Sequence, residues 1–533
     1  MSVGTSAELV RVRDAVSARR WAAQLVDCEP GHRLVLIERL LQQLGRADMP
    51  PEAMLEVMEQ ARRWHVEALN ETLGALNGAP IPLSRDTLGQ FGHAGRGLRA
   101  ARSLYRQIFT LLVDDVVGTN GKVDGPREPL SPRLVMPLAR ALDLQSRLLV
   151  AYLRARLEVP ETEWDELCRL GADARASGAL DEPIPDPRGA GRRSYTCREL
   201  FVYPLLIRAA ETEELDNESV AYAVRLARRL AGRVGFRIDW TGVTLQNLGG
   251  PVLDLSQEHR VRLDTRKLLK ALERRCAELG DEQAIDENPA PGLGVEDARA
   301  MLRRLQWHWS ADYSEPRVFA PPAPSARVCF GWAGAPASGP AEPEGRGLRY
   351  QFGSWRREST LKPSFLPHHA EALGRQLQRA EPLAWLTRSA RLCYFERESP
   401  EPRLELGTIA IVHPDAQGGE APQRPMLGVV LSLRQATVSS ARREPVHHVG
   451  IALWPDSPMP VQASVDQGYV EDAFLLLPED GSDAPRSLLL LRPGARGGMT
   501  VTLRDRNDEG AVRLDRLLEG GTRFERWSVT LLD

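Results

Sequence analysis

Along the first 280 residues apolar side chains return every three or four positions. Leu98, Ala101, Tyr105, Ile108 and Leu112 step in this way, which puts all five on one face of a helix that Ser84 is placed to cap. The same spacing predicts helices near 31–46, 51–76, 130–158, 160–173, 195–213, 216–234 and 265–279. Proline-bearing breaks separate several of them: GAPIPLS (78–84), REPLSP (127–132) and DEPIPDPRGAG (181–191). Helix and break alternate with no convincing segment of strict alternation, so residues 1–280 are expected to form an all-α domain. No fixed repeat period runs through them.

Beyond residue 280 the pattern changes. ENPAPG, APPAPS and GAPASGPAEPEGRG interrupt the chain, and the apolar residues then come in short runs: RVCFGWAG, LELGTIAIV, MLGVVLSL, HHVGIALW, DAFLLLP, RSLLLL, GMTVTLRD, GAVRLDRLL and RWSVTLL. Strand-length runs divided by Gly, Pro, Asp and Asn, with no helices between them, predict an antiparallel barrel or sandwich. The expected fold class is therefore α+β multidomain: an all-helical domain (1–280), a linker (281–300), a β-barrel (301–466) and a β extension packed on it (467–533). A loop excursion is expected at 335–384, with a helix at 368–379.

Composition changes this picture little. A chain of 533 residues, 42% hydrophobic and 26% charged, is that of a soluble globular protein with roughly two to four domains. MSVGTSAELVRVRDAVSARR has no signal-peptide core and no apolar run is of spanning length, so a cytoplasmic protein without membrane insertion is expected. Six cysteines lie far apart without a CxxC pair and read as reduced, mostly buried thiols. The net charge of −3 supplies no field to draw in nucleic acid, which is not expected as a partner. Only Lys122, Lys267, Lys270 and Lys362 are lysine among the 69 basic residues. At that arginine density an RxxxR pair arises by chance roughly eight times, so a single match decides nothing.

Several stretches imitate chemistry. GQFGHAGRG (89–97) has phosphate-loop glycines, but no strand precedes it and no GK[ST] follows; glycines that let helices pack closely are expected. GTNGKVDG (118–125) lacks the hydroxyl after Lys122 that would hold magnesium and reads as a polar turn. His368–His369, His447–His448 and His413 make a poor ligand set, because adjacent residues on a strand face opposite ways; no metal or cofactor is expected. No GxSxG or HExxH is present and no catalytic residue is assigned. RRSYTCRELFVYPLLIRAA (192–210) combines Leu200, Phe201, Leu205 and Leu206 with four arginines and reads as a core helix with a polar face. Trp164, Trp307 and Trp309 are expected to anchor domain packing.

A helical half with a WxEL-like segment and RELF, then LELGTIAIV leading through MLGVVLSL to HHVGIALWPDSPMPVQAS, resembles bacterial PilZ-domain proteins with a long helical N-terminal region. The resemblance implies a PilZ-like barrel and cyclic di-GMP as its ligand, gripped by an RxxxR motif before the barrel and by [DN]xSxxG in an early strand. Guanidinium forks would hold the phosphates and stack on guanine. Here [DN]xSxxG falls on Thr387-Arg388-Ser389-Ala390-Arg391-Leu392, and only Ser389 matches. The arginine motif falls on YSEPR, leaving Arg317, while Arg375 and Arg379 spell RxxxR too close to Ser389. The nucleotide-binding candidates are thus Arg317, Arg388, Ser389 and Arg391, with WLTRSARLCYF (385–395) expected as one barrel strand carrying Trp385 and Phe395 inward. The expected function is a non-enzymatic bacterial signalling adaptor with a degenerate PilZ-like domain, acting through a protein partner. The alternatives are a cyclic di-GMP receptor with a non-standard arginine site and an unrecognised enzyme.

Overall fold

The computed structural model describes residues 12, 14–25, 28–74, 76, 83–120, 132–185, 194–240, 249–278, 295–311, 325–331, 380–388, 392–398, 404–414, 426–435, 446–454, 457–465, 469–478, 485–491, 494–505, 508–520 and 524–532. The chain divides into two compact units, Met1–Ala79 with Leu83–Glu315, and Pro80–Pro82 with Pro316–Asp533.

The first unit is built on helices α1 (Ala15–Ala23), α2 (Pro30–Leu44), α3 (Pro51–Gly74), α4 (Arg85–Asn120), α5 (Pro132–Arg154), α6 (Glu161–Ala176), α7 (Cys197–Ala209), α8 (Asn217–Leu230), α9 (Arg266–Glu278) and α10 (Val295–His308). Their starts follow local chemistry. Ser84 accepts from the Thr87 backbone N–H, Thr196 and Glu199 close a capping box on α7, and Asp216 caps α8. The face of α4 carrying Leu98, Ala101, Tyr105, Ile108 and Leu112 is buried, as its spacing predicts. GQFGHAGRG lies inside α4, where a Cβ on Gly97 would stand 3.3 Å from the His65 ring of α3; close helix approach is its role. Of GTNGKVDG, residues 121–125 lie outside the described residues.

Helix α5 is the hub. Leu138, Ala139, Ala141, Leu142 and Leu149 are fully enclosed, and so are its polar residues Gln145 and Ser146. A helix buried on nearly every side must satisfy its polar groups through side-chain partners.

This unit also holds strand. β1 (Ile184–Pro185) and β2 (Ser194–Tyr195) pair, and β3 (Gly235–Trp240), β4 (Val252–Asp254) and β5 (His259–Asp264) form an antiparallel sheet in the order β3-β5-β4. The expectation of an all-helical 1–280 did not separate these strands. GFRIDW and HRVRLD are six-residue segments, too short to outweigh the helical periodicity around them. Phe236, Val261 and Leu263 feed the helical core.

The barrel domain was expected from residue 301, whereas α10 groups with the helical unit. Trp309, fully buried, donates from Nε1 to the Leu206 carbonyl at 2.8 Å, and Thr265 donates to the Trp309 carbonyl at 2.6 Å. Trp164 and Trp309 thus pack in the unit's own core, while Trp307 is 57% exposed.

Among the described residues the regular structure of the second unit is all strand. It comprises β6 (Ser325–Phe330), β7 (Glu381–Arg388), β8 (Cys393–Arg397), β9 (Ile409–Pro414), β10 (Met426–Gln435), β11 (His447–Trp454), β12 (Ser457–Val465), β13 (Tyr469–Leu477), β14 (Ser487–Leu490), β15 (Thr500–Asp505), β16 (Asp508–Gly520) and β17 (Glu525–Leu532). These close two antiparallel six-stranded barrels, β10-β11-β8-β7-β6-β9 and β12-β13-β14-β17-β16-β15. Counted from the first strand of each, both rings run first, second, third, sixth, fifth, fourth, so the second barrel repeats the connectivity of the first. The stretch 467–533, expected as an extension, joins Ser457–Val465 in a barrel of its own. Each barrel has a separate interior, and a third cluster lies between them, with Ile411, Leu427 and Trp454 meeting Phe474, Leu476 and Phe524. The helix expected at 368–379, and most of the excursion around it, lie outside the described residues.

Candidate functional site

WLTRSARLCYF is a hairpin rather than one strand. Trp385 pairs with Phe395, Thr387 with Tyr394 and Arg388 with Cys393, with a bulge after Trp385, so residues 389–392 connect β7 to β8. Trp385 and Phe395 both point into the first barrel as expected. Arg388 is the last residue of β7. Ser389, Arg391 and Arg317 lie outside the described residues. Leu392, aligned with the glycine of the PilZ motif, is buried.

At the opposite end of this barrel is a buried polar cluster. Arg397, 1% exposed, donates to Glu381 at 2.7 Å and lies 5.4 Å from the Phe330 ring centroid. His447, buried on β11, has Nδ1 3.2 Å from the Arg397 carbonyl; burial lowers its pKa, opposed by that hydrogen bond and reinforced by the Arg397 charge. His448 is half-buried with its ring 3.4 Å from Arg434, so the adjacent histidines do face apart. His368 and His369 lie outside the described residues.

Among the described residues one grouping has metal-ligand character: Asp165, Glu258 and His259, with ligand atoms within 4.8 Å. Asp165 already accepts from Ser256 at 2.5 Å and lies 2.8 Å from His259 Nδ1, bonds that tie β5 to α6. Similarly, Arg99 and Arg102 of α4 meet Glu163 of α6 at 2.5 and 2.8 Å, and Arg106 meets Glu166 at 3.3 Å, which fixes the two helices face to face.

The larger feature is a cleft of about 1080 Å³ in the helical unit, walled by α3, α5, α7 and α8 with Ser194 and Tyr195 at its edge. Six arginines (Arg62, Arg63, Arg147, Arg154, Arg225, Arg228) face four carboxylates (Glu59, Glu67, Asp143, Glu199) around an apolar lining that includes Val66, Leu69, Leu73, Val150 and Val224. On α5, Arg147 and Arg154 are seven residues apart and share a face; Arg225 and Arg228 do so on α8 at a spacing of three.

The cleft's charges are unevenly paired. Arg62 and Arg147 both hold Asp143, each at 3.1 Å, and Arg63 pairs with Glu67 at 3.0 Å. Burial pushes the Asp143 carboxyl up, but Arg147 and Arg62 outweigh it and keep its pKa at about 2. Glu59 takes both forks of buried Arg140, at 3.1 and 3.0 Å, and Arg140 also donates to the Tyr195 hydroxyl. Arg154 and Arg228 make no hydrogen bond or ion pair with a described residue, and the Arg154 Nε is buried. Burial and the neighbouring Arg225 lower the Arg154 pKa. Burial raises the Tyr203 pKa, while the charges of Arg228, Arg154 and Arg147 pull it down.

Sequence reasoning singled out 192–210 for its arginines and apolar face, and Glu199, Leu200 and Tyr203 of that segment do line the cleft. It missed Arg154, Arg225 and Arg228, for which the only signal is helical spacing in a chain crowded with arginine.

A family model, cyclic-di-GMP receptor FimW, N-terminal domain, matches residues 16–239. No curated protein and no solved structure matches the chain. The matched span runs from α1 to β3 and contains every residue that lines the cleft. No helix among the described residues is long and apolar enough to cross a membrane.

Proposed function

We propose that the chain is a signalling protein that binds cyclic di-GMP and passes the signal on through protein contacts rather than by catalysis. The observation that carries this reading is the match of residues 16–239 to the N-terminal domain of a cyclic-di-GMP receptor. A closed antiparallel barrel is the architecture the PilZ resemblance calls for, and its presence supports that part of the reading.

In the barrel, the proposed contacts are Arg317 together with Arg388, Ser389 and Arg391, the last three at the point of the sequence that joins β7 to β8. Each charge-assisted hydrogen bond from a forked arginine is worth about 1.5–3 kcal/mol. The leading Arg, the Asn or Asp and the Gly of the motif are replaced, and losing two such contacts lowers affinity by roughly two to four orders of magnitude. Binding at this barrel is therefore weak, and the protein's output rests on its partner. Calorimetric titration of the full chain with cyclic di-GMP, in the wild type and in Arg388→Ala and Arg391→Ala, tests this. Absence of binding to the wild type rejects the receptor reading. Micromolar or tighter binding that either substitution abolishes assigns a competent site to the barrel and rejects the weak-barrel reading.

A further inference from the structure

We infer that the cleft of the helical unit is a binding site for a phosphate-bearing ligand of dinucleotide size. Its volume of about 1080 Å³ is at the upper end of small-molecule sites and well beyond what a single inorganic anion fills. Its chemistry has two parts that such a ligand needs together. Val66, Leu69, Leu73 and Val224 offer apolar walls for flat rings, and the guanidinium groups of α5 and α8 offer planar forks for phosphate oxygens.

Charge pairing within the unit leaves this demand unmet. Asp143 is already shared by Arg62 and Arg147 and feels the charge of exposed Arg228, while half-buried Arg154 donates to no described residue. Arg154 Nε is buried without an acceptor, and a cation taken out of water without a counter-ion is costly unless an anion arrives to pair with it. Tyr203 lines the same cleft as Arg154 and Arg228 and brings a hydroxyl that can donate to a phosphate oxygen. Lowering of the Arg154 pKa by burial and by Arg225 agrees with a cationic pocket awaiting negative charge.

The choice of cyclic di-GMP as the first ligand to try rests on the proposed function; the anion site does not. The test uses the full chain, with cyclic di-GMP, GTP and pyrophosphate titrated in separate calorimetric runs against wild type, Arg154→Gln, Arg228→Gln and Arg388→Ala. The expected result is a loss of affinity of at least tenfold for cyclic di-GMP in both cleft variants, larger than any loss in Arg388→Ala, whose barrel site is the weak one. Both cleft variants should keep the wild-type melting temperature, because neither removes a bond within the protein. If cyclic di-GMP binds and only Arg388→Ala weakens it, the receptor reading stands and the cleft inference fails. If cyclic di-GMP does not bind but GTP does, with the same tenfold loss in the cleft variants, the nucleotide site in the cleft stands and the receptor reading fails; binding of pyrophosphate alone overturns the inference of a dinucleotide-sized ligand. A melting temperature lowered by several degrees in both cleft variants shows structural arginines and overturns the inference, as does the failure of all three ligands to bind.

Discussion

Trp385 and Phe395 are register partners across the β7–β8 hairpin, with ring centroids 4.9 Å apart and both side chains sealed inside the first barrel at 4% and 0% exposure. The Trp385 indole N–H meets no acceptor among the described residues, so packing is what holds the residue there. Trp385→Ala should lower stability by about 3–5 kcal/mol, read as a fall in the denaturation midpoint at unchanged slope. A change below 1 kcal/mol would mean that the ring pair does not secure the hairpin.

Trp307 and Trp309 are two residues apart and should respond oppositely. Trp309 is fully enclosed and donates to the Leu206 carbonyl, so Trp309→Ala should cost about 3–5 kcal/mol in the helical unit. Trp307 is 57% exposed, and Trp307→Ala should stay within about 0.5 kcal/mol. Equal effects in thermal melts would contradict the placement of α10.

Asp143 makes stability depend on acid. Its folded pKa of about 2 lies below the ordinary 3.8, so the folded state releases this proton more readily than the unfolded chain. The contribution, about 2 kcal/mol, is fully present above pH 4 and fades as pH falls towards 2. Asp143→Asn should remove that acid-dependent part and, by leaving Arg62 and Arg147 without their shared carboxylate, cost about 3–5 kcal/mol at neutral pH. Urea titrations from pH 5 to 2 check both signs.

The six cysteines are all free, and burial separates them. Cys168 and Cys197 are pushed up to about 12, first by burial and then by Asp165 and Asp181 respectively, so neither forms a thiolate at neutral pH. Brief iodoacetamide treatment of the folded chain should label half-buried Cys28 and Cys276 and spare Cys168, Cys197, Cys329 and Cys393, by peptide mass mapping.

Helix positions were legible because their signal is local. Leu98 to Leu112 share a face through a spacing that neighbouring residues define by themselves, and Ser84 and Pro132 mark starts within one turn. Strand-length runs after residue 320 were equally readable, and so was the inward direction of Trp385 and Phe395. Which runs close on which was not. The first barrel is sealed by pairs such as Ala326 with Pro414, and the second by Gln462 with Arg504, contacts whose register no short window records. The cleft is further still from local signal, since its arginines come from α3, α5 and α8 and their pairing depends on where Asp143 sits between two of them. Sequence by itself determined most of the long helices and the strand-length runs after residue 320, because dihedral preference and amphipathic period act between near neighbours; the short β3 and β5 and the β7–β8 hairpin escaped it. Tertiary structure alone decided that there are two barrels of one connectivity, and that Arg154 lines the cleft with no ion-pair partner among the described residues, because closure and charge pairing are set by distances in space.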